Sequence, residues 1–377
     1  PSWEIPFVKR APDSGPPLAG VPTERPGESR TVAERVRQGF GGDRYDLVKA
    51  RADYQKANER FNQAKSLPVA ERQQAFAQAA KSFHAAARHA KGSTLEEDAL
   101  MMTGEAWFFA DAYPKAVDRY AELIKKYPTS RYLDHIDQRR FLIATHWLEQ
   151  AESKSSTVAL VNFTDKERPS TDTFGHAVKL LDRIRFDNPT GKLADDATMK
   201  AAVSNFERER YVEADPLFAD IRDNFPQSPH QFQAHLLGLK CKQKLYYGAE
   251  YDGTVLDEAE KIIQQMIRLY PQESAGHQEH LATELKDLRL KKAERDFKVA
   301  KYYDQRKEYG AARVYYDLVR TEYKDTNLSL EAETRLAQIG GLPAVPENSM
   351  QWLADMFPTE EPAKPLIASE APDTKRR

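Results

Sequence analysis

Cysteine is nearly absent from this chain of 377 residues, in which Cys241 is the only one. A single thiol cannot form an internal disulfide framework, and it cannot build an all-cysteine metal site. Cys241 lies in a stretch with helical periodicity, so we expect it to be a small buried side chain. The residue therefore indicates neither an oxidising nor a reducing compartment.

Long apolar runs and an excess of charge of one sign are also missing. No segment approaches the roughly 20 consecutive apolar residues that a membrane-spanning helix needs. The 56 basic and 58 acidic residues leave a net charge of -2. Such a balance produces no overall field that would attract nucleic acid or an anionic membrane, so we expect no nucleic-acid partner.

Motifs for catalysis and for cofactor binding are missing as well. No serine lies in a nucleophile elbow, and Gly39, Gly41 and Gly42 lack the lysine and the preceding strand of a phosphate loop. His277 and His280 are three residues apart, not four as on a zinc-binding helix, and no third ligand is implied. We therefore predict a protein that is not an enzyme and that has no cofactor and no metal site.

Proline is concentrated at the two ends of the chain. Residues 1–44 contain seven prolines, which favours an extended arm over a packed domain. Residues 341–377 form a second Pro-rich tail, in which the apolar stretch 350–357 predicts a short helix that must dock on this chain or on a partner. Because the chain begins at Pro1, we expect that a preceding segment has been removed, as in a secreted or lipid-anchored precursor.

The positive signal is a helical hairpin at residues 96–131. Leu100, Gly104 and Trp107 follow one another at i, i+4 and i+7, on one face of a first helix. Pro114 suits the first turn of a second helix, because its missing N–H costs nothing there. Such a hairpin cannot bury its apolar face alone.

The second helix of this hairpin recurs along the chain. An alanine is followed after four residues by a large apolar residue and after three more by an apolar residue. The six triplets are Ala79/Phe83/Ala86, Ala116/Tyr120/Leu123, Ala177/Leu181/Ile184, Ala214/Phe218/Ile221, Ala259/Ile263/Met266 and Ala312/Tyr316/Val319. This pattern resembles the tetratricopeptide repeat, a helix–turn–helix of about 34 residues. It predicts that Tyr120 and Phe218 are buried between helices.

We therefore predict an all-α tetratricopeptide-repeat solenoid of about six hairpins over residues 45–340, without a sheet. Residues 152–172 predict a non-helical insert loop, which is usually functional or disordered in a compact array. Residues 277–291 predict a polar connecting helix before a last repeat that starts near Ala293. Residues 328–339 predict a closing helix.

Further stretches resemble the BamD-type outer-membrane protein assembly lipoproteins. Residues 293–303 and 306–316 are similar to the last repeat of that family, and residues 125–135 and 186–197 resemble the family as well. The insert before Phe174 is similar to the insert in the family's third repeat. The likeness covers most of residues 50–340, with an extra repeat around residues 229–290.

The resemblance implies a periplasmic scaffold at the inner face of the outer membrane, within the machinery that assembles β-barrel proteins. The C-terminal repeats of the family hold the periplasmic domains of the assembly protein, and its N-terminal repeats receive unfolded barrel precursors. Contact with the membrane is implied only through a lipid anchor, and the family's lipidated N-terminal cysteine is not in this sequence. The arms at both ends are also outside the family pattern.

Two sets of residues are candidate binding sites. A solenoid offers a groove lined by first helices, in which a peptide can lie. The candidates for this groove are Tyr54, Arg60, Phe108, Arg139 and Arg140. The terminal repeat is rich in tyrosine, which favours an interface, and its candidates for holding a partner are Tyr302, Tyr309, Tyr315 and Tyr323. Tyr303 and Tyr316 are assigned to internal packing, and the tail around Trp352 is an alternative cover for the free rings.

Two other functions stay open. One is a different envelope repeat adaptor, serving the cell wall or a secretion complex. The other is a catalytic or regulatory protein in which the repeats are an accessory, and this requires a second folded domain. A signal peptide upstream that ends in a lipidated cysteine would favour the assembly lipoprotein.

Overall fold

The structure is a computed structural model that describes residues 46–153, 165–169 and 172–346. Every regular element in these ranges is an α-helix, as predicted. The helices are α1 (Leu47–Ser66), α2 (Val69–His89), α3 (Thr94–Phe109), α4 (Tyr113–Lys126), α5 (Leu133–Ser153), α6 (Thr173–Asp187), α7 (Ala194–Glu207), α8 (Tyr211–Asn224), α9 (Gln231–Leu245), α10 (Thr254–Leu269), α11 (Pro271–Ala275), α12 (Gln278–Gln305), α13 (Tyr309–Glu322) and α14 (Asn327–Ile339).

Consecutive helices pack together as hairpins. The pairs are α1/α2, α3/α4, α5/α6, α7/α8 and α12/α13. The six triplets lie inside, and none of their side chains is more than 1% exposed. Tyr120 and Phe218 are both fully buried, which confirms their prediction. The all-α tetratricopeptide-repeat fold is therefore confirmed.

Small and large residues interlock within the α3/α4 hairpin. A Cβ atom at Gly104 of α3 would lie 2.3 Å from Cε1 of Tyr120 in α4. The missing side chain therefore lets the two helices approach until the ring fills the space. Pro114 lies in the first turn of α4, as predicted. Cys241 is buried in α9, also as predicted, and burial raises the pKa of its thiol to about 12.

One predicted boundary is wrong. The sequence predicted a connecting helix over residues 277–291 and a separate first helix from Ala293, but α12 is one continuous helix of 28 residues. The reason is local, because residues 278–305 contain no glycine and no proline that would end a helix. A helix, α14, spans the segment predicted as the closing helix, and the start of α6 at Thr173 agrees with the prediction.

The described residues divide into two compact units. The first runs to Leu245 and includes Gln265–Glu273, and the second contains Tyr246–Gln264 and the chain from Ser274 onward. Helix α10 contributes to both. One hydrophobic core lies within the first unit, and another lies within the second among α12, α13 and α14.

Several predictions concern residues outside the described ranges. They are the N-terminal arm 1–44, most of the insert 152–172 and the short helix 350–357. Within the described residues, no helix is both long and apolar enough to cross a bilayer.

Candidate peptide-binding surfaces

A buried carboxylate organises the N-terminal hairpins. Glu105 of α3 is fully buried, and it accepts hydrogen bonds from Nε and Nη2 of Arg139 at 2.9 and 2.8 Å. The hydroxyl of Tyr120 donates to it at 2.6 Å, and Nε2 of His135 lies 3.3 Å away. Burial opposes ionisation, but the electrostatic attraction of His135 and the hydrogen bonds from Arg139 outweigh it and lower the pKa of Glu105 to about 2. Glu105 is therefore ionised, and it ties α5 to α3.

The same ion pair fixes a cation over two aromatic rings. The guanidinium carbon of Arg139 lies 4.6 Å from the ring centre of Phe108 and 5.4 Å from that of Phe109. Phe109 is 38% exposed, and Leu142, one turn further along α5, is 41% exposed. We call Phe108, Phe109, Arg139 and Leu142 the N-terminal surface. It combines apolar area with a guanidinium group that Glu105 pairs with and holds in place.

Aromatic contacts support this surface from below. The ring centre of Phe109 lies 5.8 Å from that of Phe61 and 5.4 Å from that of Phe76. A line of rings continues through Phe108, Tyr113 and His146, with centre-to-centre distances of 5.6, 5.5 and 5.3 Å. Helices α1 to α5 therefore all hold the rings in place, and little conformational entropy is lost when a ligand binds there.

The structure brings together only Phe108 and Arg139 from the predicted groove set. Tyr54 is 6% exposed and packs edge-on against Phe83, so it belongs to the core. Arg140 is 1% exposed, and its Nη1 donates to Oδ2 of Asp187 at 2.6 Å. Arg60 is exposed, and it donates to the hydroxyl of Ser82 on α2. Tyr54 and Arg140 therefore leave little contact area for a peptide.

Sequence reasoning missed two members of the N-terminal surface. Phe109 follows Phe108 directly, and the helix period assigns adjacent residues to different faces. The structure nevertheless places both rings within 5.4 Å of the guanidinium carbon of Arg139. Leu142 had a usable signal, since it lies three residues after Arg139 and so on the same side of α5.

A tyrosine cluster lies on the terminal hairpin. Tyr302 is 54% exposed, and its ring meets that of Tyr303 edge-on at 5.4 Å. Tyr303 stacks on Tyr315 of α13, with ring centres 5.6 Å apart and planes at 14°. Nη1 of Arg306 donates to the hydroxyl of Tyr302 at 3.3 Å. The tyrosine cluster, formed by Tyr302, Tyr303, Tyr315 and Arg306, joins two of the predicted residues.

The other two predicted tyrosines have different places. Tyr323 is 8% exposed, and its hydroxyl donates to Oδ2 of Asp296 at 2.9 Å. Burial and this hydrogen bond raise the pKa of Tyr323 to about 12. It therefore packs inside the terminal hairpin and leaves little surface for a partner. Tyr309 is half-buried against the core of the second unit.

A cleft of about 680 Å³ lies between α12 and α14. Phe297 and Tyr316 form its apolar part, and charged side chains of both signs also line it, namely Lys301, Asp304, Glu331 and Arg335. Arg335 holds both oxygens of Asp304, with N–O distances of 2.6 and 2.8 Å. This hydrogen bonding lowers the pKa of Asp304. The cleft therefore offers apolar contact area near the tyrosine-rich end of the chain.

One group of possible metal ligands has a simpler explanation. Oxygens of Asp195 and Asp196 and a nitrogen of His230 lie within 4.8 Å of one another. Nε2 of His230 is 2.7 Å from Oδ1 of Asp196, and the hydroxyl of Tyr132 donates to Oδ1 of Asp98 at the same distance. Both pairs are 34 residues apart, so the contact is a recurring link between successive hairpins.

Comparison with known families gives two matches. Residues 164–340 match the family YfiO, described as an outer membrane lipoprotein. Residues 98–130 match a tetratricopeptide repeat, and this range contains nearly all of the α3/α4 hairpin. The first match covers somewhat less than half of the chain. No curated protein matches the chain.

Proposed function

We propose that this chain is a non-enzymatic scaffold of the machinery that assembles outer-membrane β-barrel proteins, placed in the periplasm at the inner face of the outer membrane. The observation that carries the proposal is the similarity of residues 164–340 to an outer membrane lipoprotein family. The hairpin fold supports it, because stacked hairpins present extended binding surfaces. The chain acts by holding partners, and its chemistry is that of contact surfaces.

The N-terminal surface is our proposed site for unfolded barrel precursors. Exposed aromatic and aliphatic side chains bind apolar side chains of an extended peptide. The rings of Phe108 and Phe109 are already held in place, so they lose little conformational entropy when a peptide binds. The fixed guanidinium of Arg139 gives the site a polar edge. Arg60 stays a proposed contact at the rim, since its side chain is exposed.

A pair of matched variants tests this site. Phe109→Ser with Leu142→Ser should weaken binding of a barrel-precursor peptide by on the order of tenfold or more, since central aromatic contacts typically dominate an interface. The control is Phe186→Ser, because Phe186 is 70% exposed on α6 and lies outside the surface. Equal affinities for the double variant and the control would exclude the N-terminal surface as the site.

The tyrosine cluster is our proposed contact for the periplasmic domains of the assembly protein. Tyrosine and arginine are the residues most enriched in interface hot spots. Tyr302 and Arg306 lie outermost in the cluster, and Tyr303 and Tyr315 support them from behind. Tyr309 is half-buried and lies three residues after Arg306, and it stays a proposed contact at the edge of the cluster.

Co-purification from the cell envelope tests this contact. Tyr302→Ala with Arg306→Ala should abolish stable recovery of the assembly protein. The control is Tyr247→Ala, because Tyr247 is 73% exposed in the same unit but outside the cluster. If the assembly protein is still recovered with both variants, it binds at a different surface of the chain.

The alternative is an adaptor of another envelope complex, such as one for the cell wall or for secretion. One observation favours it, since the family match begins at residue 164 and leaves helices α1 to α5 outside. Identification of the co-purified proteins decides between the two. Recovery of cell-wall or secretion components without the assembly protein would replace our proposal with this one.

A further inference from the structure

The last described helix, α14, has an uncovered face. In α12, Asp296 and Ala300 face the second helix of their hairpin and are 4% and 0% exposed. Leu330 and Thr334 occupy the same positions in α14, one repeat length of about 34 residues later. Leu330 is 68% exposed, and Thr334 and Ala337 are exposed too. Within the described chain, α14 is thus a first helix whose second helix is missing.

The chain beyond α14 follows a fixed path. Nη1 of Arg313 on α13 donates to the carbonyl oxygens of Ile339 and Leu342 at 3.0 and 2.9 Å. The backbone N–H of Gly310, also on α13, donates to the carbonyl oxygen of Ala344 at 2.8 Å. A Cβ atom at Gly310 would lie 3.1 Å from that oxygen, so glycine permits the close approach. The chain is therefore held beside the start of α13.

Two earlier hairpins show which element begins beside the start of a second helix. Gln73, near the start of α2, donates to Asp111, which lies just before α4. The ring centre of Phe174, at the start of α6, lies 5.0 Å from the guanidinium carbon of Arg210, which lies just before α8. In both cases the next second helix begins beside the start of the preceding second helix. Ala344 is in the equivalent position beside α13, so a second helix that follows it would run along α14.

The sequence that follows has the pattern needed for such a helix. Residues 350–357 read MQWLADMF, in which the polar residues Gln351 and Asp355 are four apart and the other six are apolar. This arrangement gives one polar stripe and a broad apolar face. The three residues that separate it from Pro346 reach roughly 10 Å. We propose that residues 350–357 pack across Leu330 and Thr334 as the second helix of the terminal hairpin.

The proposal explains why α14 has an exposed face around Leu330. A repeat array needs a capping element at its end, because the last hairpin otherwise leaves apolar area in water. Here the chain supplies its own cap. The Leu330 face, which forms part of the cleft between α12 and α14, is therefore closed to partners. The proposal for the tyrosine cluster does not depend on it.

Hydrogen exchange on the full chain tests the packing. Leu353→Lys places a charge on the apolar face, and exchange in residues 327–339 should become faster by on the order of tenfold, because losing one packed leucine shifts a local opening by at least that factor. The control Gln351→Lys changes the polar stripe and should leave this exchange unaltered. Exchange in residues 94–109, which lie in the other unit, should stay the same in both variants. Equal exchange in the two variants would overturn the proposal.

Cross-linking gives an independent result. Leu330→Cys combined with Leu353→Cys should form a disulfide within one chain under mild oxidation, and buried Cys241 should not compete. The pair Leu330→Cys with Gln351→Cys should cross-link much less. A cross-link that forms only between two chains would mean that a second copy covers α14, and this would overturn the proposal, as would no cross-link at all.

Discussion

At the scale of single residues, buried charge is the chief feature of the N-terminal hairpins. Glu105 is ionised although no part of it reaches water. A buried charge is tolerated only where partners compensate for its desolvation, and Arg139 and Tyr120 do so here. Its role is thus to position Arg139 for the N-terminal surface as well as to join two hairpins.

Our first prediction concerns Glu105→Gln. This variant leaves Arg139 without its anion, so the free energy of unfolding at pH 7 should fall by about 3–5 kcal/mol. The control Glu122→Gln breaks partly exposed ion pairs with Arg119 and Lys126 and should cost less than about 1 kcal/mol. Urea unfolding measures both. A loss for Glu105→Gln as small as that for the control would show that the pair does not hold α5 to α3.

The pH dependence of this pair follows from the sign of the shift. The pKa of Glu105 falls from 4.5 to about 2 on folding, so its stabilisation is complete above pH 4.5 and is lost as the pH falls towards 2. The stability difference between the wild type and Glu105→Gln should therefore shrink over that window. A difference that stays constant from pH 4.5 to 2 would contradict the assignment.

A second buried carboxylate predicts the opposite behaviour. Burial raises the pKa of Asp137 from 3.8 to about 6, although Asn188 donates to it and Arg140 is near. The folded chain therefore binds more protons between pH 3.8 and 6, and ionisation of Asp137 lowers stability as the pH rises through this window.

Our second prediction is that Asp137→Asn raises the unfolding free energy at pH 7 by roughly 1–3 kcal/mol and changes it little near pH 4. Arg140 keeps Asp187 as its anion in this variant. Urea unfolding at the two pH values measures the difference. A variant that is less stable at pH 7 would mean that Arg140 needs the charge of Asp137.

At the scale of elements, the triplets predicted the second helices, because each triplet is the buried stripe of one helix. Periodicity could not separate Arg139 from Arg140, although adjacent residues point about 100° apart on a helix. Which of the two faces solvent depends on the second helix of the same hairpin, where Asp187 pairs with Arg140. Tyr54 and Tyr323 show the same limit, since a neighbouring helix and Asp296 decide their burial.

Our third prediction tests the register of these elements. Tyr120→Ala and Phe218→Ala should each lower the unfolding free energy by about 3–5 kcal/mol, since each removes a fully buried ring. The control is Tyr247→Ala, which removes an exposed ring and should change the midpoint little. Unchanged midpoints for both core variants would mean that the triplets do not face the hairpin interior.

At the scale of the whole molecule, the two proposed binding surfaces lie on different units. The N-terminal surface belongs to the unit that runs to Leu245, and the tyrosine cluster belongs to the unit that continues from Ser274. Each surface is backed by its own hydrophobic core. Substitutions at sites that share no partners usually act additively.

Our fourth prediction is that the two binding activities separate completely. The double variant Phe109→Ser, Leu142→Ser should lose affinity for a precursor peptide and still co-purify with the assembly protein. The double variant Tyr302→Ala, Arg306→Ala should do the reverse, because its substitutions leave the core around Tyr316 intact. Circular dichroism of each variant controls for folding, and their combination should show the sum of both losses. If either variant folds and yet loses both activities, one shared surface binds both ligands, and the division of labour between the two units is wrong.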